Sequence, residues 1–350
     1  MHSTPRLWVP RRVLVTASAL AEPLGRAMAE RAAAFGAEVV RLSADRLPKL
    51  PESYAEAKRT LAIVNAPPSR RRPVPIPPSS DWRFDLAEGC PAHCQYCYLA
   101  GSLAGPPITR AYANVGAILA GLAAVEGQGQ VTSRSPARAA EGTTYEASCY
   151  TDPLGIEHLT GSLAAAIRHF GAWDARVELR ATTKFAAVEP LLGLAHGGRT
   201  RLRFSVTAEQ AQRYEGGTAP IRARLDAMRR AAEAGYRIGL VIAPILPLPG
   251  WQDGYASLLD AAADALRGVS APDLTVELIT HRFTARSKGV LQGWYPGSSL
   301  EMDETRRSRK TTRLGAEKWV LPRPLMAEMR GWFERALATT LPEARLLYWT

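Results

Sequence analysis

Three cysteines within eight positions constrain this chain more than any other feature. They lie in Gly89-Cys90-Pro91-Ala92-His93-Cys94-Gln95-Tyr96-Cys97-Tyr98, at the spacing C-x3-C-x2-C. Three sulfurs so close in sequence can converge from one short loop, and soft thiolates at that density select zinc or an iron–sulfur cluster over hard cations. A structural zinc site needs four ligands, and the second Cys or His pair that usually completes one is missing; His93, between two of the thiols, is poorly placed to join them. Four-iron clusters normally take four cysteines, so three local ones leave one iron open to an outside ligand. Three buried cysteines acting as small hydrophobes remain the bland alternative.

The rest of the composition narrows the setting. The only other cysteine is Cys149, so the four do not form a disulfide framework, and a reducing compartment fits them better. No apolar stretch reaches the roughly 18 residues of a membrane span, and the N-terminal apolar run is too short for a secretory leader. A cytoplasmic protein with no membrane partner is expected. With 350 residues, of which 46% are hydrophobic, there is ample chain for a core, and the formal charge of +11 is compatible with a polyanionic partner.

Residues 12–17, 22–35 and 37–42 read as strand, helix, strand, a small α/β opening unit. Residues 67–80, PPSRRRPVPIPPSS, are rich in proline and read as an extended connector. Beyond it, apolar runs at 177–179, 202–206 and 238–243 alternate with helical patterns at 161–170, 219–234 and 255–266, which implies a parallel sheet. Six or so such units close partly or fully as a barrel with ligands at the C-terminal strand ends, or form an open doubly wound sheet. Residues 126–144 have no apolar period and read as an exposed, mobile loop without chemistry.

The cysteine loop resembles the radical S-adenosylmethionine (SAM) superfamily, in which C-x3-C-x2-C holds three irons of a [4Fe-4S] cluster and SAM chelates the fourth. Within it the chain resembles the spore photoproduct lyase family. The resemblance rests on the loop GC-x2-HCQYCYL, on YEASCYTDPLGIEHLT at 145–160, on RLRFSV at 201–206, AGYRIGLVIAP at 234–244 and LTVELITHRF at 274–283. Shorter matches are EPLG at 22–25, GW at 250–251, GY at 254–255 and MDET at 302–305.

What the resemblance implies is an α/β fold, a partial (β/α)6-type radical SAM barrel with a small N-terminal α/β unit and a C-terminal basic extension. The expected division is 1–66 for the N-terminal unit, 67–80 for the connector, 81–280 for the barrel and 281–350 for a DNA-contacting region. The implied activity is a carbon–carbon lyase that reverses the ultraviolet lesion 5-thyminyl-5,6-dihydrothymine in DNA through a 5′-deoxyadenosyl radical. Carried over residue by residue, Cys90, Cys94 and Cys97 ligate the cluster and Cys149 donates hydrogen to the product radical. Tyr96 and Tyr98 resemble the tyrosines of a hydrogen relay, with Tyr98 also at the cofactor. Thr151, Lys184 and Ser205 are the expected SAM contacts. The implied partners are DNA carrying a thymine photolesion and a reductive electron donor of the flavodoxin or ferredoxin type.

Between positions 281 and 323 lie ten Lys and Arg against four Asp and Glu, a net of +6. Such a run can neutralise phosphates, with Arg282 and Lys310 among the candidates, while Trp294, Tyr295 and Trp319 can stack on bases. It can equally be a solvated face. A lesion cannot meet a buried radical while stacked in duplex, so it must be flipped out. The resemblance puts the flipping hairpin near Arg313. Where the family pattern has an Arg-Tyr pair this chain reads Arg313-Leu314, which keeps an apolar wedge but loses the aromatic face. Two alternatives stand beside this reading: a divergent member of the family acting on another nucleic-acid or small-molecule substrate, and a non-catalytic DNA-binding protein with a structural metal.

Overall fold

The computed structural model describes residues 7–50, 53–102, 107–270, 272–311 and 317–350. Its larger sheet has eight strands, and six of them, all parallel, run side by side in chain order. These barrel strands are Ser80–Phe84, Thr143–Ala147, Val177–Thr183, Thr200–Val206, Arg237–Ile245 and Leu274–Thr280. A doubly wound sheet reverses its order at a switch point. This one advances without reversal and curls into a half-barrel, so the open-sheet alternative is set aside.

Two extra strands complete it. Val74–Ile76 pairs antiparallel with the first barrel strand. The connector expected at 67–80 is thus partly an edge strand, a position that tolerates proline because no inner ladder bond is lost. Arg345–Trp349 adds a parallel strand beside the sixth, so the C-terminal region is woven into the barrel as well as appended to it.

Alternation along the barrel strands builds two environments. Tyr145, Leu179, Leu202, Phe204, Ile238, Leu240, Val276 and Leu278 belong to one apolar core with side chains of the surrounding helices. Helix Ser162–Ala172 shows why it packs there: Leu163, Ala166, Ile167 and Phe170 recur at helical spacing and are buried. Its first turn leaves backbone N–H groups without helical partners, and the Glu157 carboxylate accepts from Leu163 and Ala164, each at 2.9 Å. Each large aliphatic or aromatic side chain so buried contributes roughly 1.5–3 kcal/mol. The intervening strand residues are charged or polar. Glu146, Glu178, Arg180, Arg201, Arg203 and Glu277 are all buried in the barrel interior, where they bond one another.

The N-terminal sheet has the order Glu38–Arg41, Arg12–Val15, Thr60–Val64, Thr109–Tyr112, Ala87–Glu88. The strand-helix-strand reading of residues 12–42 matches its first part. The sheet nonetheless recruits two strands from beyond the connector, so the small unit is not confined to 1–66. Thr109–Tyr112 joins it because Leu61, Ile63 and Ala111 are apolar on the same face and share a core with Val13 and Val15.

Residues 126–144 also differ from expectation. The Asp81 carboxylate accepts from the Val131 N–H at 2.6 Å and from the Thr132 N–H and hydroxyl at 3.1 and 2.9 Å. Arg138 is buried, paired with Glu141 at 2.8 Å and bonded to the carbonyls of Pro78 and Ser79. A segment without apolar period is here stapled by polar side chains, and its end begins the second barrel strand. No helix among the described residues is long and apolar enough to cross a membrane.

Candidate active site

The mouth of the half-barrel opens into a cavity of about 720 Å³. Cys90, Cys94 and Cys97 line it from one side, and Cys149, Thr151, Lys184 and Ser205 line it from the ends of barrel strands. The cysteine loop is fixed at both ends. Gly89 adopts φ 75°, and a Cβ there would stand 2.1 Å from the Ile108 carbonyl oxygen, so only glycine fits at the entrance. Further on, His93–Cys94 pairs antiparallel with Glu215–Gly216, and the Gln95 N–H donates to the Tyr214 carbonyl at 2.9 Å.

Cys149 follows the second barrel strand after Ser148, a non-glycine residue at φ 60°. That left-handed turn is held from both sides: the Ser148 N–H donates to the Phe84 carbonyl at 2.7 Å, and its hydroxyl accepts from the Leu86 N–H at 2.9 Å. Burial pushes the Cys149 thiol well above its ordinary range. The nearby carboxylates of Glu146 and Asp85 add to this, while Arg83 and Arg203 oppose it. The sulfur therefore keeps its hydrogen at neutral pH.

Lys184, at the end of the third strand, donates to Ser205 Oγ at 2.8 Å, Glu215 Oε1 at 2.6 Å and the Ala243 carbonyl at 2.9 Å. Two expected cofactor contacts are thus neighbours, and Lys184 carries a carboxylate partner that sequence reading missed. Asp152 accepts from the Lys184 N–H and the Thr183 hydroxyl, and burial raises its carboxyl to about 6 despite these bonds. Thr151 contributes a buried hydroxyl with no hydrogen-bond partner among the described residues, facing the same cavity. The two tyrosines differ. Tyr96 is buried, donates its hydroxyl to Glu215, and has Lys184 Nζ 5.5 Å from its ring centroid. Tyr98 is 38% exposed, with the Arg282 guanidinium 5.6 Å above its ring.

The floor of the cavity holds residues that the sequence did not single out. Arg203 pairs with Glu146 and, at 2.7 Å, with Glu277, which accepts in turn from the Tyr348 hydroxyl at 2.8 Å. Their signal was present as charged residues alternating with apolar ones in strands that otherwise look wholly buried. At the rim stand Arg282, Lys310 and Lys318. Burial lowers the Lys318 ammonium below its ordinary value, and Arg282 and Lys310 lower it further. Lys310 and Lys318 lie on the antiparallel pair Ser308–Thr311 and Glu317–Val320. Lys318 was counted in the basic run but not chosen. Elsewhere in that run Arg307, Lys288 and Arg309 are already paired with Glu301, Glu304 and Glu317. Arg313 and Leu314 lie outside the described residues. Trp319 and Tyr295 pack in an apolar cluster with Phe283 and Leu291.

The spore photoproduct lyase family model matches residues 8–350. The chain belongs to the spore photoproduct lyase family. Among its relatives, spore photoproduct lyase of Geobacillus sp. (strain Y412MC61) is 36% identical over 353 residues, covering 98% of this chain and 99% of that protein. The family member of Bacillus subtilis (strain 168) is 35% identical over the same shares of both chains. Two solved spore photoproduct lyase structures superpose with TM-score 0.89 at 35% identity, covering 99% of this chain and 100% of theirs. One is complexed with dinucleoside spore photoproduct, and the other is a double mutant with bound AdoMet and the same lesion. The curled sheet of this chain is therefore the family's own scaffold.

Proposed function

We propose that this chain is a radical SAM lyase that restores two thymines from spore photoproduct in DNA. The observation that carries the reading is one cavity lined at once by three thiols of a single loop, by a fourth, protonated thiol, and by cations at its rim. The donor set fits a [4Fe-4S] cluster. Soft thiolates at this spacing suit iron. Burial pushes the Cys90 thiol of the metal-free chain up to about 11 and Cys94 higher, and coordination deprotonates a thiol outright. Cys90, Cys94 and Cys97 would hold the cluster. Thr151, with its unpartnered hydroxyl, and Lys184 with Ser205 would take the polar ends of SAM. Together, when bound, these groups supply a 5′-deoxyadenosyl radical.

The polypeptide's own tasks follow from its geometry. The cavity brings the cysteine loop and the Cys149 thiol to line one space. Fragmentation of the methylene bridge between the two thymines leaves a product radical that must be quenched by a hydrogen atom. Cys149 offers one from an S–H bond that its surroundings keep intact. The relay role of Tyr96 and Tyr98 belongs to the same proposal, with Glu215 accepting the Tyr96 hydroxyl and so fixing its orientation. Arg282, Lys310 and Lys318 would meet phosphates of the flipped strand, and Arg313 and Leu314 would support the gap. Electrons would come from a small flavodoxin- or ferredoxin-type protein. The test is single turnover on dinucleotide spore photoproduct with anaerobically reconstituted protein and dithionite. Thymidylyl-thymidine is the expected product. SAM cleavage without repair would place the chain on another substrate, and a protein that takes up no iron and sulfide would end the reading.

A further inference from the structure

The cysteine loop is gripped from below by the N-terminal unit. Tyr54 and Lys58 lie on and just after the short helix Tyr54–Ala57. The Tyr54 hydroxyl bonds His93 Nδ1 at 3.1 Å, and the Lys58 ammonium donates to the carbonyls of Cys90 and Ala92. Lys58 is only 7% exposed, its own carbonyl accepts from the Trp8 indole at 3.2 Å, and among the described residues no carboxylate pairs with it. A buried ammonium bonded to carbonyls carries a charge that no carboxylate among the described residues balances. Three thiolates on an oxidised four-iron cluster leave a net negative complement, which grows by one unit on reduction. We propose that Lys58 is a positioning residue for the cluster: it latches the loop through two carbonyls and supplies the counter-charge that favours the reduced cluster, raising its potential.

This rests on the cluster reading above, and the experiment separates the two. Iron and sulfide per chain and an EPR-monitored redox titration, both without SAM, are measured for the wild type, Lys58→Met and Lys58→Arg. Lys58→Met is expected to shift the cluster couple to more negative potential or to lose iron, while Lys58→Arg, which keeps the charge, stays near the wild type in both. Full cluster content at wild-type potential in Lys58→Met would overturn the proposal. Equal loss of iron in both variants would overturn it too, because shape rather than charge would then be what the position requires. A wild-type protein that binds no cluster would instead sink the underlying reading.

Discussion

The two ends of the barrel interior are built from the same alternating strand positions yet serve different purposes. At the closed end Glu178 bonds Arg180, Arg201 and Arg237 at 2.8, 3.1 and 2.8 Å, and Arg201 reaches Asp273 at 3.1 Å. At the open end the charges stand around a cavity: Glu146, Arg203 and Glu277 on the floor, Lys184 and Asp152 above them. The charged groups of the closed end are paired with one another, and none of them lines the cavity. The open end keeps unpaired capacity, including the buried Thr151 hydroxyl. Charge placed inside a barrel thus becomes scaffold where every group is matched, and becomes a site where some are left for a visitor.

The largest effect should come from breaking the saturated end. Glu178→Gln removes the carboxylate shared by three guanidinium groups and leaves Arg180 to Glu141 and Arg201 and Arg237 to Asp273. Loss of one partner from such a buried network costs about 3–5 kcal/mol. A fall in the urea midpoint with unchanged slope would show it. No loss would mean that the network is not stabilising and that the two ends do not differ in kind.

The acid–base behaviour of the two ends should be opposite. Glu178 is held below the ordinary carboxylate value, where Arg180 and Arg201 overcome its burial. The stability it contributes is present above its unfolded value and is lost as the pH falls. Asp152 is raised to about 6, chiefly by burial. Its contribution is complete below the unfolded value near 3.8 and is lost as pH rises through about 6. Asp152→Asn should therefore flatten the fall in stability between pH 4 and 6, by on the order of 2 kcal/mol, in cluster-free protein. Asp85 and Glu157, raised to about 6 and about 7 by burial, leave a residual fall in the variant; a fall as steep as the wild type's would refute the assignment.

Much of this division was legible in the sequence, and the reasons for the rest are physical. The cysteine loop is a local pattern that its spacing alone reveals, whereas Cys149, Thr151, Lys184 and Ser205 were singled out by the family resemblance, since none of them stands out from its strand-end position alone. Glu215 was invisible as a partner of Lys184, because it arrives on a two-residue strand across the barrel mouth, 31 positions away. The Glu178–Arg201–Asp273 network joins strands far apart in sequence, although the alternation Glu178, Arg180 and Arg201, Arg203 advertised a polar strand face. Residues 126–144 were misread because Asp81 and Arg138 anchor them through side-chain bonds that leave no periodic trace.

At the open end, Cys149→Ala should leave stability close to wild type and cluster loading intact. The fraction of turnovers giving clean thymidylyl-thymidine should fall about tenfold or more, equivalent to roughly 1.4 kcal/mol in partitioning, with adducts or solvent-exchanged products in its place. Product analysis by mass spectrometry reads this directly. Clean repair by the variant would remove Cys149 from the mechanism. Cys90→Ala, in contrast, should abolish SAM cleavage itself.

The smallest effect is expected at the rim, where the open end meets solvent. Lys318 is crowded by Arg282 and Lys310, and burial already lowers its ammonium, so a phosphate arriving there relieves repulsion as well as making a contact. Lys318→Gln should weaken binding of lesion-containing DNA several-fold at low salt. The slope of log affinity against log salt should become shallower by about 0.9, the value for one phosphate contact on duplex DNA. Arg309, already engaged by Glu317 at 3.3 Å on an exposed face, is the matched control from the same hairpin. Its Gln variant should change the slope less, because releasing Glu317 offsets part of what the DNA contact gains. Equal slopes for the two variants would mean that the basic run acts as a diffuse field, and the cations at the cavity rim would then hold no special place in holding the lesion.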